Sequence, residues 1–217
     1  MDIMLDTPTL TLPSTRYQGS KAKLVPWILR CLESFEFDTA LDVFGGTGVV
    51  SYAFKRLGKA VTFNDYLLSN YYGAVALIEN ATEILERPFA TSLWQKKPGK
   101  RYASFIADMF PGIYYTEEEN SWLDIVVQNV MDLSDRYRQA IAYWALFQAC
   151  IVKRPFNLFH RANLYLREAQ VKRSFGNKST WDCPFPDHFL RFIEEANLLV
   201  FDNGRRNTVL CSDALDV

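Results

Sequence analysis

Ten residues, LDVFGGTGVV at positions 41–50, restrict what this chain can fold into more than any other stretch. An apolar run at 39–44 enters a turn holding Gly45, Gly46 and Gly48, and an apolar, helix-compatible run at 49–57 leaves it. Strand, glycine turn and helix in that order open a nucleotide-binding α/β unit. The glycines let backbone approach a ligand where a Cβ would collide, and the helix start offers N–H groups without partners. A second short strand at 60–63 ends in Asn64 and Asp65. Asp65 stands about 20 residues past the turn, the spacing at which a carboxylate reaches ribose hydroxyls. A purely structural strand–helix turn is the plainer alternative.

The detail of the turn separates one adenosine ligand from another. Its spacing is Gly-Gly-x-Gly, with Thr47 at the variable position, and Asp42 stands on the strand just before it. An acid there opposes a pyrophosphate but suits a ligand bearing an ammonium group. S-adenosyl-L-methionine, which carries an adenosine, an ammonium and a sulfonium but no phosphate, fits better than a dinucleotide.

With 217 residues, 49% of them apolar, the chain can bury one sizeable core with room for a lobe beside it. A formal charge of -1 gives no global attraction to nucleic acid. Cys31, Cys150, Cys183 and Cys211 follow no metal or disulfide spacing, which leads us to expect no metal and a cytoplasmic location. Polar residues interrupt every apolar stretch, so no membrane span is expected.

Ser20 is a candidate N-cap for an amphipathic run at 22–35, which puts Lys21 in the first turn, where the helix dipole disfavours a cation. An anionic ligand group would account for it; an exposed lysine with no partner is the plainer reading. Helices are expected at 66–84, 116–133, 134–152 and 186–199, with a last strand at 207–211. Tyr66, Tyr71 and Tyr72 begin the first of these, and one of them could cover an adenine ring. Residues 88–111 show no period.

Residues 153–178 change character. Lys153, Arg154, Arg161, Arg167, Lys172, Arg173 and Lys178 accompany a single acid, Glu168, with Asn157, His160 and several aromatics between them. Cations for phosphate, amides for base edges and aromatics for stacking are what a DNA reader needs. A basic loop that only solvates is the alternative, and His160 by itself fits a structural role better than a catalytic one.

Four stretches, RYQGSKAKL, LDVFGGTGVVSYAF, TFNDYLLSNYY and NTVLCSDALDV, occur in one order, and together they resemble the successive cofactor motifs of DNA adenine-N6 methyltransferases of the D12 class. The resemblance spans most of residues 15–217. It implies S-adenosyl-L-methionine as cofactor and double-stranded DNA as partner. Tyr17, Gly19 and Lys21 would border the methionine end, with Asp42 close by. Phe44, Gly45, Gly46, Thr47 and Gly48 would wrap the cofactor backbone. Asp65, next to Asn64, would hold the ribose, and Asp213 with Ala214 would lie against the adenine. The target-recognition region of the class falls where Lys153, Arg154, Asn157, His160, Arg161, Lys172, Arg173 and Lys178 stand here.

The class's catalytic Asp-Pro-Pro-Tyr motif is absent from these residues, so no catalytic residue is expected in this chain and a second polypeptide is expected to carry the motif. The expected fold is α/β, an incomplete Rossmann-like S-adenosylmethionine-dependent methyltransferase fold. Residues 1–85 and 200–217 would form the cofactor-binding part, and 86–199 an inserted helical and irregular target-recognition lobe. In such a sheet the catalytic strand neighbours the strand ending at Asp42, which here should keep one edge open. A catalytically inactive S-adenosylmethionine- or DNA-binding module, or an enzyme acting on RNA, are the rival readings.

Overall fold

The computed structural model describes residues 19–154, 162–169 and 178–217. In chain order, a 3-10 turn at Lys21–Lys23 leads to α1 (Val25–Leu32), β1 (Thr39–Asp42), α2 (Val49–Arg56) and β2 (Ala60–Asn64). Then come α3 (Leu68–Ala74), a π-helical turn (Val75–Glu79), α4 (Arg87–Ser92), α5 (Phe105–Met109), α6 (Glu117–Met131) and α7 (Arg136–Lys153). After α8 (Leu164–Glu168), α9 (Lys178–Asp182) and α10 (Phe185–Leu199), the chain returns to the sheet as β3 (Thr208–Leu210) and closes on a 3-10 turn, Ala214–Asp216.

Local chemistry accounts for most boundaries. The Ser20 hydroxyl accepts from the Ala22 amide at 3.4 Å, capping the first turn, and Pro26 falls in the opening turn of α1, where its missing N–H costs nothing. Thr116 and Glu119 form a reciprocal capping box at the start of α6, and the Asp135 side chain caps α7. The helix expected at 66–84 stops earlier, because Asn80 turns extended and its side-chain oxygen accepts from the Thr82 and Glu83 amides at 3.2 and 2.9 Å. An asparagine offering the backbone such bonds competes with helix continuation. The region without period, 88–111, holds two short helices.

The three strands are parallel in the order β1-β2-β3. Phe63 on β2 pairs with Asp42 on one side and Val209 on the other. This row looks onto α2, the π turn and the helices, and Phe63 is fully buried. The same apolar cluster takes in Val61, Ile78, Ile141, Phe189, Phe192 and Val209. The helices of 86–199, expected as a lobe beside the sheet, therefore share one continuous core with it. α7 is apolar on nearly all sides and lies in the middle of that core, as such a helix must.

The opposite face of the sheet carries the row Leu41, Thr62, Thr208. Leu41 is 52% exposed, and Thr62 and Thr208 are half-buried. Among the described residues, β1 pairs only with β2. Parallel strands normally lie under helices on both faces. Among the described residues this sheet is covered on one face, and β1 forms one of its two edges.

Candidate functional site

Three strand ends converge on one crevice. Asn64, buried at the end of β2, joins them: its amide nitrogen donates to the carbonyls of Val43 and Ser212, both at 3.1 Å, and its oxygen accepts from the Ser212 amide at 3.0 Å. The side chain expected to touch cofactor thus spends its polar atoms holding the β1 and β3 ends in register with β2.

The glycine turn is shaped by close approach. A Cβ at Gly45 would lie 2.0 Å from the Phe63 ring, so only glycine lets the turn settle on β2, where the Gly45 amide donates to the Asn64 carbonyl at 2.9 Å. Gly48, at φ 74°, adopts the left-handed conformation that starts α2. Asp65 lies across the turn. One carboxylate oxygen accepts from the Gly46 amide at 2.8 Å and the other from the Leu67 amide at 2.9 Å. Each oxygen keeps a lone pair for a further donor, which fits a ribose with two adjacent hydroxyls. Asp42 points along α2 and accepts from the Ser51 hydroxyl at 2.6 Å.

Between these groups lies a crevice of about 140 Å³ lined by Phe44, Asn64, Tyr66, Ser212, Asp213 and Ala214. Phe44 and Tyr66 are 73% and 77% exposed, two unburied aromatics at the mouth of a polar cleft. Tyr71 and Tyr72 belong instead to an aromatic ladder running to Tyr143. Asp213 accepts from the Leu215 amide at 3.0 Å, which sets the Ala214 backbone at the crevice wall. Lys21 and Gly19 are exposed, and Ser20 beside them comes within 3.5 Å of the Thr47 hydroxyl, so this first turn abuts the glycine turn. Tyr17 lies outside the described residues.

The basic segment divides. Lys153 and Arg154, expected to contact DNA, are buried. The Lys153 ammonium donates to Glu119 at 2.6 Å and to the Cys183 carbonyl at 2.8 Å, and the Arg154 guanidinium sits 4.8 Å from the centre of the Tyr114 ring. Arg167 also pairs with Glu119. Both side chains are thus buried rather than presented at the surface, and Lys153 is paired with an internal acid. Lys178 is exposed at the start of α9. Asn157, His160, Arg161, Lys172 and Arg173 lie outside the described residues. Among the described residues, no cluster of His, Cys, Asp and Glu could hold a metal, and no helix is long and apolar enough to cross a membrane.

A second cavity, on α7, escaped the sequence reading. Trp144, Phe147, Gln148 and Ile151 line it, a spacing that one helix face explains and that a buried helix shows equally well.

The family model of the D12 class N6 adenine-specific DNA methyltransferases matches residues 17–179. The chain is 29% identical over 210 residues to the Type II methyltransferase M2.HphI of Haemophilus parahaemolyticus, an alignment covering 94% of this chain and 61% of that protein. The chain thus spans about three fifths of the length of the curated relative it matches. No solved structure matches it. With glycine turn, ribose-spaced acid and strand-end crevice in one place, and the family match running from residue 17 to 179, the chain belongs to the D12 class of N6 adenine-specific DNA methyltransferases.

Proposed function

We propose that this chain is the S-adenosyl-L-methionine-binding and DNA-recognition part of a site-specific DNA adenine-N6 methyltransferase, working with a catalytic strand and Asp-Pro-Pro-Tyr motif that residues 19–217 do not contain. The observation that carries the reading is the crevice at the carboxyl ends of three parallel strands, the usual place for a ligand in an open α/β sheet. The adenosine would lie between Phe44, Tyr66, Asp213 and Ala214, with its ribose on Asp65. Gly46 and Thr47 would pass beneath the methionine chain toward Lys21. When bound, the cofactor supplies an electrophilic methyl group; the chain's residues orient it and admit an unstacked adenine.

Among the described residues β1 keeps one edge without a ladder partner, and Leu41 is exposed beside it; an apolar edge of this kind invites pairing with a further strand. A further parallel strand with its own helices would satisfy both. In the split-enzyme reading that strand lies on a second polypeptide, and the buried area would exceed roughly 2,000 Å², as in obligate assemblies.

The test is co-expression of the chain with a polypeptide carrying the Asp-Pro-Pro-Tyr strand, followed by transfer of a tritiated methyl group to double-stranded DNA and mass spectrometry of the nucleosides. N6-methyladenine formed only by the pair is the expected result. Binding of S-adenosylhomocysteine without transfer by any such pair would favour an inactive module.

A further inference from the structure

The two edges of the sheet are finished differently. At β3 the Val209 amide donates to the Glu79 carboxylate at 3.1 Å rather than to a strand, and Arg136 pairs with the same carboxylate. A side chain closes that edge. At β1 no strand pairs with the outer side among the described residues, and Thr39–Asp42 holds neither proline nor lysine. An edge of this kind is a template for another strand.

α1 lies beside it. Val25 packs on Val49 and Ala53 of α2, whereas Tyr52 and Lys55, on the other side of α2, donate to the carbonyls of Leu199 and Leu77. The π turn that holds Leu77 also holds β3 through Glu79, so α1 occupies the opposite flank of α2, on the β1 side. Leu24, Trp27 and Cys31 follow one another at helical spacing and are all exposed, Trp27 by 58%. An exposed apolar stripe that continues onto an open strand edge marks an interaction surface.

The charges say what docks there. Lys21 and Lys23 are exposed at the head of this helical segment, and Glu33 and Glu36 are exposed at its tail. Such a segment is complementary to an antiparallel copy of itself: the head cations of each copy meet the tail acids of the other, with Trp27 near the middle. A two-fold axis perpendicular to the sheet keeps both helix-covered faces on one side, so it sets β1 antiparallel to β1 and α1 antiparallel to α1 in one operation. We propose that this face is a homodimer interface, in which β1 of two copies joins their three-stranded sheets into one and the two α1 helices cross at Trp27. The buried area clears the roughly 1,000 Å² expected of a specific interface. The same edge is the one given above to the catalytic strand, so the two pairings exclude each other.

Sedimentation equilibrium on the full chain tests it, with neither cofactor nor DNA present, so the result is separate from the methyltransferase reading. The wild type should be a dimer at micromolar concentrations. Trp27→Glu, which sets two acids against each other on the axis, should weaken the dimer at least about a hundredfold. Lys23→Glu and Glu33→Lys should each weaken it about tenfold, and the double variant should recover wild-type association, because both pairs re-form with reversed sign. Hydrogen exchange supplies a readout on the unaltered chain: the amides of 39–42 should slow as concentration rises through the dimerisation range. A monomer at every concentration, a dimer indifferent to Trp27→Glu, no recovery in the double charge swap, or exchange at 39–42 that ignores concentration would overturn the proposal.

Discussion

Arg167 and Glu119 meet as a two-pronged pair: Nη1 donates to Oε2 at 2.7 Å and Nη2 to Oε1 at 2.6 Å. Lys153 donates to the same Oε1, so one carboxylate on α6 ties the end of α7 to α8. Both of these anchored segments border the stretch proposed to meet DNA, which the triad would support from within the fold.

Removing the acid leaves two buried cations without it. Glu119→Gln should therefore destabilise the chain by about 3–5 kcal/mol at neutral pH. Burial raises the Glu119 carboxyl, but hydrogen bonds from Arg167 and Lys153 outweigh it and hold the group below its usual 4.5. With the folded value depressed, the stabilisation is complete above about pH 4.5 and is lost as pH falls through the folded value. Urea unfolding across pH 3–7 should show this acid loss in wild type and a flatter curve in the variant. A variant within about 1 kcal/mol of wild type would mean the triad holds nothing.

Lys55 gives the opposite end of the pH scale. Its ammonium is buried and donates to the carbonyls of Leu77 and Asn80 at 3.1 and 2.7 Å. Burial lowers it to about 8, partly offset by Asp202. Between there and 10.5 the unfolded chain holds more protons, so this lysine makes stability rise with pH, by about 3 kcal/mol over the window. Burial pushes the Cys150 thiol up to about 12, which pulls the other way above pH 9. The difference between wild type and Lys55→Met removes that contribution. It should widen in favour of wild type from pH 8 to 10.5, and a flat difference would refute the assignment.

Asp65 holds the glycine turn and, in our reading, the ribose. Asp65→Ala should weaken S-adenosylhomocysteine by about 1.5–3 kcal/mol, at least tenfold, by calorimetry on folded protein. An unchanged dissociation constant would move the ribose elsewhere.

The division of the basic segment separates two kinds of arginine. Arg161→Ala and Arg173→Ala should each reduce the slope of log affinity for DNA against log salt by about 0.9. Arg167→Ala should lower stability instead, since its guanidinium is spent on Glu119. Equal slopes for all three would move the recognition surface away from this segment.

Leu41 probes the open sheet. Leu41→Lys places a charge on an exposed face and should change the chain's own stability by no more than about 0.5 kcal/mol. Light scattering should report less self-association of the chain alone, and pull-down should report weaker capture of the catalytic polypeptide. Unaltered capture would exclude this face from the interface.

Local chemistry made part of this legible in the residues alone. A glycine-dense turn after an apolar run, an acid one βα unit later, a serine before an amphipathic run and a final short strand all act within a few residues of themselves. The strands, α2, α6, α7 and α10 accordingly lie near where periodicity and capping predict them. The apolar period continues past Asn80 and predicts a helix to residue 84, while the bonds of that one side chain end it.

The rest is decided by what the fold brings together. Lys153 and Arg167 read as DNA-facing cations because their acid, Glu119, lies 48 residues before Arg167 and no local pattern links them. Gln148 looks like one polar position on a buried helix, and only the fold brings it against α3 and the glycine turn. Asn64 sits beside Asp65 in sequence, yet its amide reaches 148 residues along the chain to Ser212. The sequence determines which side chains are available and which backbone turns they allow. Tertiary structure decides which are desolvated and paired, because burial and partnership are set by neighbours distant in the chain.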